Sequence, residues 1–389
     1  MGNLRFLTSG ESHGQGLSVV IEGIPAGLTL SEDYIARDLA RRQKGYGRGP
    51  RMQIEKDRAL ISAGVRHGVT LGSPIALWIQ NKDWENWQEV MSVTPIEGEV
   101  KRVTRLRPGH ADMAGILKYK QSDVRNILER ASARETAARG AVGAVCRRLL
   151  EEFDIQIHSS TISIGGHFAK PSSPMDWEKV EQSVVRCTDP EAEKLMIAAI
   201  DEAKESGNTV GGIFQVVAAG VPVGLGSHVH WDRKLDGRIA QAMMSINAMK
   251  GVEIGHGFEQ THMVGSQVHD VIEPFDAAKG RTWKRATNRA GGIEGGMSNG
   301  EEIVVRVAVK PISTLAKPLP SVDLVTGEKI QAHYERSDVC QVPPAGIVGE
   351  AMLAIVLAEA LLEKFGGDHI EETRRNYQGY LKTVSEVPE

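Results

Sequence analysis

The stretch SDVRNILERASARETAARGAVGAVCRRLLEEF, residues 122–153, decides how this chain is read. Ile127, Ala131, Arg134, Ala138 and Ala141 fall near one face at helical spacing, which predicts one long helix or two joined helices. The segment is rich in Ala, Ser and Gly, so neighbouring elements can come very close to it. Directly after it, Ile155 to Ile164 alternates as a strand.

The same mixture recurs in both directions. Upstream, Leu4 to Leu7 and Leu17 to Ile21 read as strands, and Ile75 to Ile79 as a short apolar strand. Ser31 caps a helix that carries Glu32 and Asp33 in its first turn and stops near Gly45. Downstream, Pro190 to Glu205 reads as an amphipathic helix, Gly211 to Val223 as one or two strands, Leu235 to Lys250 as a helix and Glu302 to Val309 as a strand. Ile347 to Phe365 is a strongly apolar helix closed by Gly366 and Gly367. Residues from about 368 to 389 read as a polar surface tail. Strands and helices mix throughout, so the class is α+β or a layered α/β sandwich. No Pro/Ser-rich linker or short repeat marks a cut, which predicts one domain over residues 1–389.

The 389 residues carry a formal charge of -4, which argues against a general nucleic-acid binder. The three Cys form no CxxC pair and read as reduced cytosolic thiols. The chain opens on no basic-apolar leader and shows no run approaching a membrane span, so a cytoplasmic protein without a membrane partner is expected.

Two histidines sit on Gly-flanked loops beside charged residues: Gly10-Glu11-Ser12-His13-Gly14 and Arg107-Pro108-Gly109-His110-Ala111-Asp112. Imidazole exchanges a proton near neutral pH, and Gly lets backbone approach a ligand. Around them lie Arg37, Arg41, Arg42, Lys44, Arg48 and Arg51, then Arg102, Arg105 and Arg107, then Arg125, Arg130, Arg134 and Arg139. The guanidinium fork grips phosphate or carboxylate through two parallel hydrogen bonds. Arg37, Arg41 and Arg139 fit solvated helix faces. Arg48, Arg51 and Arg107 stand on Gly/Pro loops, where a ligand is the better explanation. The Gly45-Tyr46-Gly47-Arg48-Gly49 run also resembles a single-strand nucleic-acid contact, but aromatics are only 5% of the chain. A small, multiply anionic substrate suits the constellation better.

Neither a GxGxxG after a strand nor a GxxxxGK[ST] occurs. The run Gly291 to Gly300, followed by Lys310, Pro311, Ile312, Ser313 and Thr314, offers backbone N–H groups, hydroxyls and a cation to a mononucleotide phosphate.

Six motifs then resemble the chorismate synthase family: the two His motifs, Arg130-Ala131-Ser132-Ala133-Arg134-Glu135-Thr136, the run Ser245 to Glu253, Gly295 to Gly300, and Arg336-Ser337-Asp338. The resemblance implies a single-domain β-α-β sandwich with antiparallel sheets flanked by helices, assembled as a homotetramer. It implies a 1,4-anti elimination of phosphate from 5-enolpyruvylshikimate 3-phosphate to give chorismate. The family requires reduced FMN although the reaction has no net redox change. The chain is similar to the shorter bacterial form, which receives reduced flavin from an external NAD(P)H-dependent reductase.

Position by position, the resemblance implies that His110 protonates the departing phosphate, His13 supplies a proton to the flavin system and Asp338 assists proton removal. It assigns Arg42, Arg48, Arg51, Arg107 and Arg134 to substrate phosphate and carboxylates, and leaves open a pyridine nucleotide such as NADP at Arg42 and Arg48. It assigns FMN contact to Arg130, Ala131, Ser132, Asn247, Ala248, Gly295, Lys310, Pro311, Ile312, Ser313, Thr314 and Arg336. No metal is implied. Ser337 and Lys44 depart from the family's common His and Pro. A conventional flavin oxidoreductase, consuming NAD(P)H with each turnover, is the competing enzyme class.

Overall fold

In the computed structural model, helix Thr136–Glu151 (α4) lies against helix Val342–Phe365 (α7), and this pair forms the middle of the molecule. The structure describes residues 4–49, 56–98, 102–172, 174–274, 283–335 and 337–385. Small residues explain the helix contact: a Cβ on Gly143 would stand 2.2 Å from the Ala351 Cβ. Residues 122–153 thus form two joined helices, Arg125–Ala131 (α3) and α4, linked by a 3-10 turn at Ala133–Glu135.

One sheet packs on each side of this helical layer. Strands Arg5–Ser9 (β1), Gly16–Glu22 (β2), Ala59–Ala63 (β3) and Ile75–Gln80 (β4) make an antiparallel sheet in the order β1-β2-β4-β3. Their inward positions Leu17, Val19, Ile21, Ile75, Leu77 and Ile79 are buried, and α4 packs on β2 and β4. The second sheet is also antiparallel, with Gln156–Ile164 (β5), His167–Phe168 (β6), Gly212–Ala219 (β7), Met249–Ile254 (β8) and Ile303–Val309 (β9) ordered β8-β9-β7-β5-β6. Helix α7 covers its β5 and β7 strands. Antiparallel sheets with apolar inner faces on a shared helical layer are the α+β architecture that the sequence predicts.

Helix Glu32–Gln43 (α1) is capped by Ser31, whose hydroxyl accepts from the Tyr34 N–H at 3.2 Å. Helix Pro190–Glu205 (α5) is capped by Asp189, with Pro190 in its first turn. Three boundaries differ from the sequence reading. The helix expected from Leu235 to Lys250 ends at Met244 (α6), because Ala248 turns left-handed at φ 70° and Met249 enters strand β8. Helix α7 begins five residues before the expected Ile347, with prolines in its first turn, where their missing N–H groups cost nothing. Residues 370–384, expected as part of a tail, form helix Ile370–Val384 (α8) behind a capping box at His369. Ile370 and Thr373 are buried, and the Tyr377 ring packs edge-on against Phe153 and Phe365. Helix α7 is long and apolar enough to cross a membrane by composition, yet 94% of that window is buried inside the protein. It is a core helix.

Candidate active site

The two histidine loops meet at one cavity of about 680 Å³, inside the range typical of small-molecule sites. His13 comes from the β1–β2 connection. His110 precedes helix Asp112–Tyr119 (α2). Asp338 arrives from the segment before α7, and Lys310 follows the end of β9. Among the described residues, the wall carries five cations, Arg42, Arg48, Arg107, Arg134 and Lys310, against three carboxylates, Asp83, Glu335 and Asp338.

Each imidazole is held by a buried carboxylate. The His13 Nδ1 lies 3.0 Å from both Glu129 oxygens, and the His13 backbone N–H donates to Glu129 Oε2 at 2.8 Å. Arg125 Nη1 donates to the same carboxylate at 2.7 Å. One face of the ring stacks on Trp87, with centroids 3.8 Å apart. Burial pushes the Glu129 carboxyl up, but His13 and Arg125 outweigh it and hold it below the usual glutamate range. His110 Nδ1 lies 2.5 Å from Asp112 Oδ1. Asp112 also accepts from the Arg107 backbone N–H at 3.0 Å, Arg107 Nε at 2.9 Å and Nη2 at 3.0 Å. Burial works against the charged form here too, yet the His110 and Arg107 hydrogen bonds bring the Asp112 pKa down to about 2. Arg107 Nη2 also comes within 3.0 Å of His110 Nδ1, but the ionised Asp112 oxygen 2.5 Å away can only accept, so Nδ1 carries the hydrogen and donates it to the carboxylate.

The remaining arginines are likewise braced. Arg42, on α1, donates from Nε to Thr136 Oγ1 at 3.0 Å and from Nη2 to the Ala133 carbonyl at 2.9 Å. Arg134 Nη1 lies 2.6 Å from both oxygens of buried Asp57. Arg48 Nη1 donates to Asp338 Oδ2, and the Gly49 N–H to Oδ1, each at 2.6 Å. Lys310 Nζ donates to the Gly109 carbonyl at 2.5 Å, tying the β9 end to the His110 loop.

A further wall, around Asn247 and Ala248, completes the chamber. Asn247 donates from Nδ2 to the Ala131 carbonyl at 2.9 Å, and its Oδ1 is buried without a hydrogen-bond partner among the described residues. Ala248 beside it keeps its left-handed backbone, and its carbonyl accepts from the Lys310 N–H at 3.0 Å. A non-glycine residue held there stores strain, which collects at functional sites. Ser132, Ile312, Ser313 and Thr314 share this lining.

The cavity therefore gathers His13, His110 and Asp338, with Arg42, Arg48, Arg107 and Arg134, and with Ala131, Ser132, Asn247, Ala248, Lys310 and Ile312 to Thr314. Arg130, Gly295 and Pro311 are not on its wall. The Arg130 guanidinium donates instead to the Thr8 and Gly10 carbonyls, bracing the His13 loop. Arg51 and Arg336 lie outside the described residues. Arg41 is a correction: far from a solvated face, it reaches fully buried Glu350 at 2.7 Å and Glu181 at 2.6 Å. Sequence reasoning missed Asp57, Asp83, Trp87, Glu129 and Glu335. Their signal was the arginine density itself, since so many buried cations need carboxylates to neutralise them before a ligand arrives.

Guanidiniums converging on two carboxylate-held imidazoles define an enzyme that handles a small polyanion and moves protons on it. Residues 4–362 match the family model described as chorismate synthase. The chorismate synthase of Aquifex aeolicus is 57% identical over 396 residues, 98% of each chain, and that of Moorella thermoacetica is 57% identical over 387 residues, 98% of this chain and 100% of that one. A solved crystal structure of chorismate synthase superposes with a TM-score of 0.80 at 48% identity, covering 98% of both chains. The chain belongs to the chorismate synthase family. It is a carbon–oxygen lyase of the shikimate pathway, eliminating phosphate from 5-enolpyruvylshikimate 3-phosphate to form chorismate.

Proposed function

We propose that this elimination takes place in the cavity between the two histidine loops. His110 gives a proton to the departing phosphate, His13 would hold a proton for the flavin system when the cofactor is bound, and Asp338 assists proton removal. The observation that carries this reading is convergence: positions 13, 110 and 338, far apart in the chain, line one cationic chamber. Arg107 lies beside His110, so a phosphate protonated there meets a guanidinium as its bond breaks. Arg42, Arg48, Arg51 and Arg134 take the remaining phosphate and carboxylate charge.

Reduced FMN fits the wall around Asn247 and Ala248. Ala131, Ala248 and Ile312 are apolar, Asn247 Oδ1 is a buried acceptor awaiting a donor, and Lys310, Ser313 and Thr314 suit a phosphate. A reduced flavin bound against Asn247, Ala248 and Lys310 would supply electron density for the C–O cleavage without net redox change. The chain's own work is to orient the substrate, neutralise charge and hold protons at fixed atoms. We assign the supply of reduced flavin to an external NAD(P)H-dependent reductase. We further propose a cytoplasmic homotetramer. Buried free Cys146, Cys187 and Cys340 suit a reducing compartment, and Leu7, Val20 and Leu60 on the outer face of the first sheet suit coverage by a second copy.

The test is His110→Ala. Turnover is expected to fall by roughly 10²–10⁴-fold while substrate and flavin still bind. Undiminished turnover would remove His110 from the chemistry.

A further inference from the structure

Two neighbouring helices each build the same device. Glu129 sits in α3, and Asp112 opens α2. Both carboxylates are nearly inaccessible to solvent, with side chains 2% and 0% exposed. Each accepts one backbone N–H, one guanidinium and one imidazole Nδ1. For Glu129 these come from His13, Arg125 and His13; for Asp112 from Arg107, Arg107 and His110. A carboxylate pinned by a backbone N–H and a guanidinium cannot swing away from the ring it faces. An ionised carboxylate can only accept, so the ring nitrogen against it must carry hydrogen.

We propose that Glu129 and Asp112 are the positioning residues of the two proton-transfer histidines, each fixing its ring as the Nδ1–H tautomer so that Nε2 is the nitrogen that gives and retakes the proton. The inference rests on the roles proposed above for His13 and His110. Its consequence is that one ring nitrogen serves the whole cycle. A ring that gives up its Nε2 proton keeps its Nδ1–H on the carboxylate, and its Nε2 lone pair stays aimed where the proton went. No ring flip or tautomer change is needed between turnovers. The Trp87 stack adds a second constraint on the His13 ring, and the Arg107 guanidinium closes the Nδ1 side of His110.

The experiment is nitrogen NMR on the full chain with ¹⁵N-labelled histidine, with the two rings assigned through His13→Ala and His110→Ala. Above the imidazole titration, both rings are expected in the Nδ1–H form. In Asp112→Asn the His110 ring should move to the Nε2–H form or a mixture, and likewise the His13 ring in Glu129→Gln. Turnover in each variant should fall by roughly 10²–10⁴-fold, with KM for the enolpyruvyl substrate changing far less. A merely structural role would lower the yield of folded protein without exchanging the tautomer. The measurement on the unsubstituted chain does not depend on whether a variant folds: Nε2–H rings there overturn the proposal outright. Variants that keep both tautomer and turnover overturn it as well. Should His110→Ala retain full turnover, the chemical role fails instead, whichever tautomer the ring adopts.

Discussion

Asp338 and Arg48 meet at 2.6 Å, although the family resemblance gives one to proton removal and the other to substrate charge. An arriving anion must therefore compete with Asp338 for the Arg48 guanidinium. A charge-assisted hydrogen bond contributes about 1.5–3 kcal/mol, so Arg48→Ala should raise the substrate dissociation constant by roughly 10–100-fold. Calorimetric titration that finds unchanged affinity would leave Arg48 as a brace for Asp338 alone. Asp112 makes a second prediction. Its pKa, about 2, lies below the ordinary aspartate value, so its ionised form stabilises the native state above about pH 4. That contribution disappears as pH falls through about 2. The stability gap between the native chain and Asp112→Asn should therefore be full at neutral pH and close under acid, as followed by denaturant melts at several pH values. The histidines themselves were legible because Gly-flanked loops with charged neighbours stand out in a sequence. The carboxylates behind them were not: Glu129 occupies an ordinary helical position, and its partner His13 lies 116 residues away.

At the scale of elements, local chemistry read well wherever a cap or a period was present. Ser31 and the Pro at 190 give helix starts that the structure reproduces. Ala248 does not advertise a left-handed backbone, so the α6 boundary was overrun. The amphipathic period of Ile370, Thr373, Tyr377 and Tyr380 was hidden in a strongly polar segment. Arg41 was misread because its partner Glu350 lies in the apolar α7, out of reach of any local pattern. Glu350 is fully buried and also takes Arg147 Nη2 and Ser159 Oγ, each at 2.6 Å. Removing one partner from such a network leaves charges buried without compensation. Glu350→Gln should cost on the order of 3–5 kcal/mol in a urea melt, and a loss under about 1 kcal/mol would mean that water or repacking compensates. Gly143 tests the helix contact. Alanine improves an isolated helix by about 1 kcal/mol, but here its Cβ would collide with Ala351. Gly143→Ala should destabilise by about 1–3 kcal/mol, and a more stable variant would refute the close α4–α7 contact.

Across the whole molecule, two antiparallel sheets enclose a helical layer, and the cavity opens where loops from both halves of the chain converge. The α+β class followed from interleaved strand and helix patterns, and the family from motifs spread along the chain. The layer order did not follow, because which sheet packs on which helix is set by contacts between distant residues such as Gly143 and Ala351. The same long-range packing brings guanidiniums, imidazoles and the Asn247 wall into the one chamber proposed above for the elimination. The most direct test is anaerobic turnover of the enolpyruvyl substrate by the full chain with chemically reduced FMN, following chorismate, phosphate and flavin oxidation together. The account predicts chorismate and phosphate in equal amounts over many turnovers, with the flavin still reduced at the end. Flavin or NAD(P)H oxidised in proportion to product would contradict it.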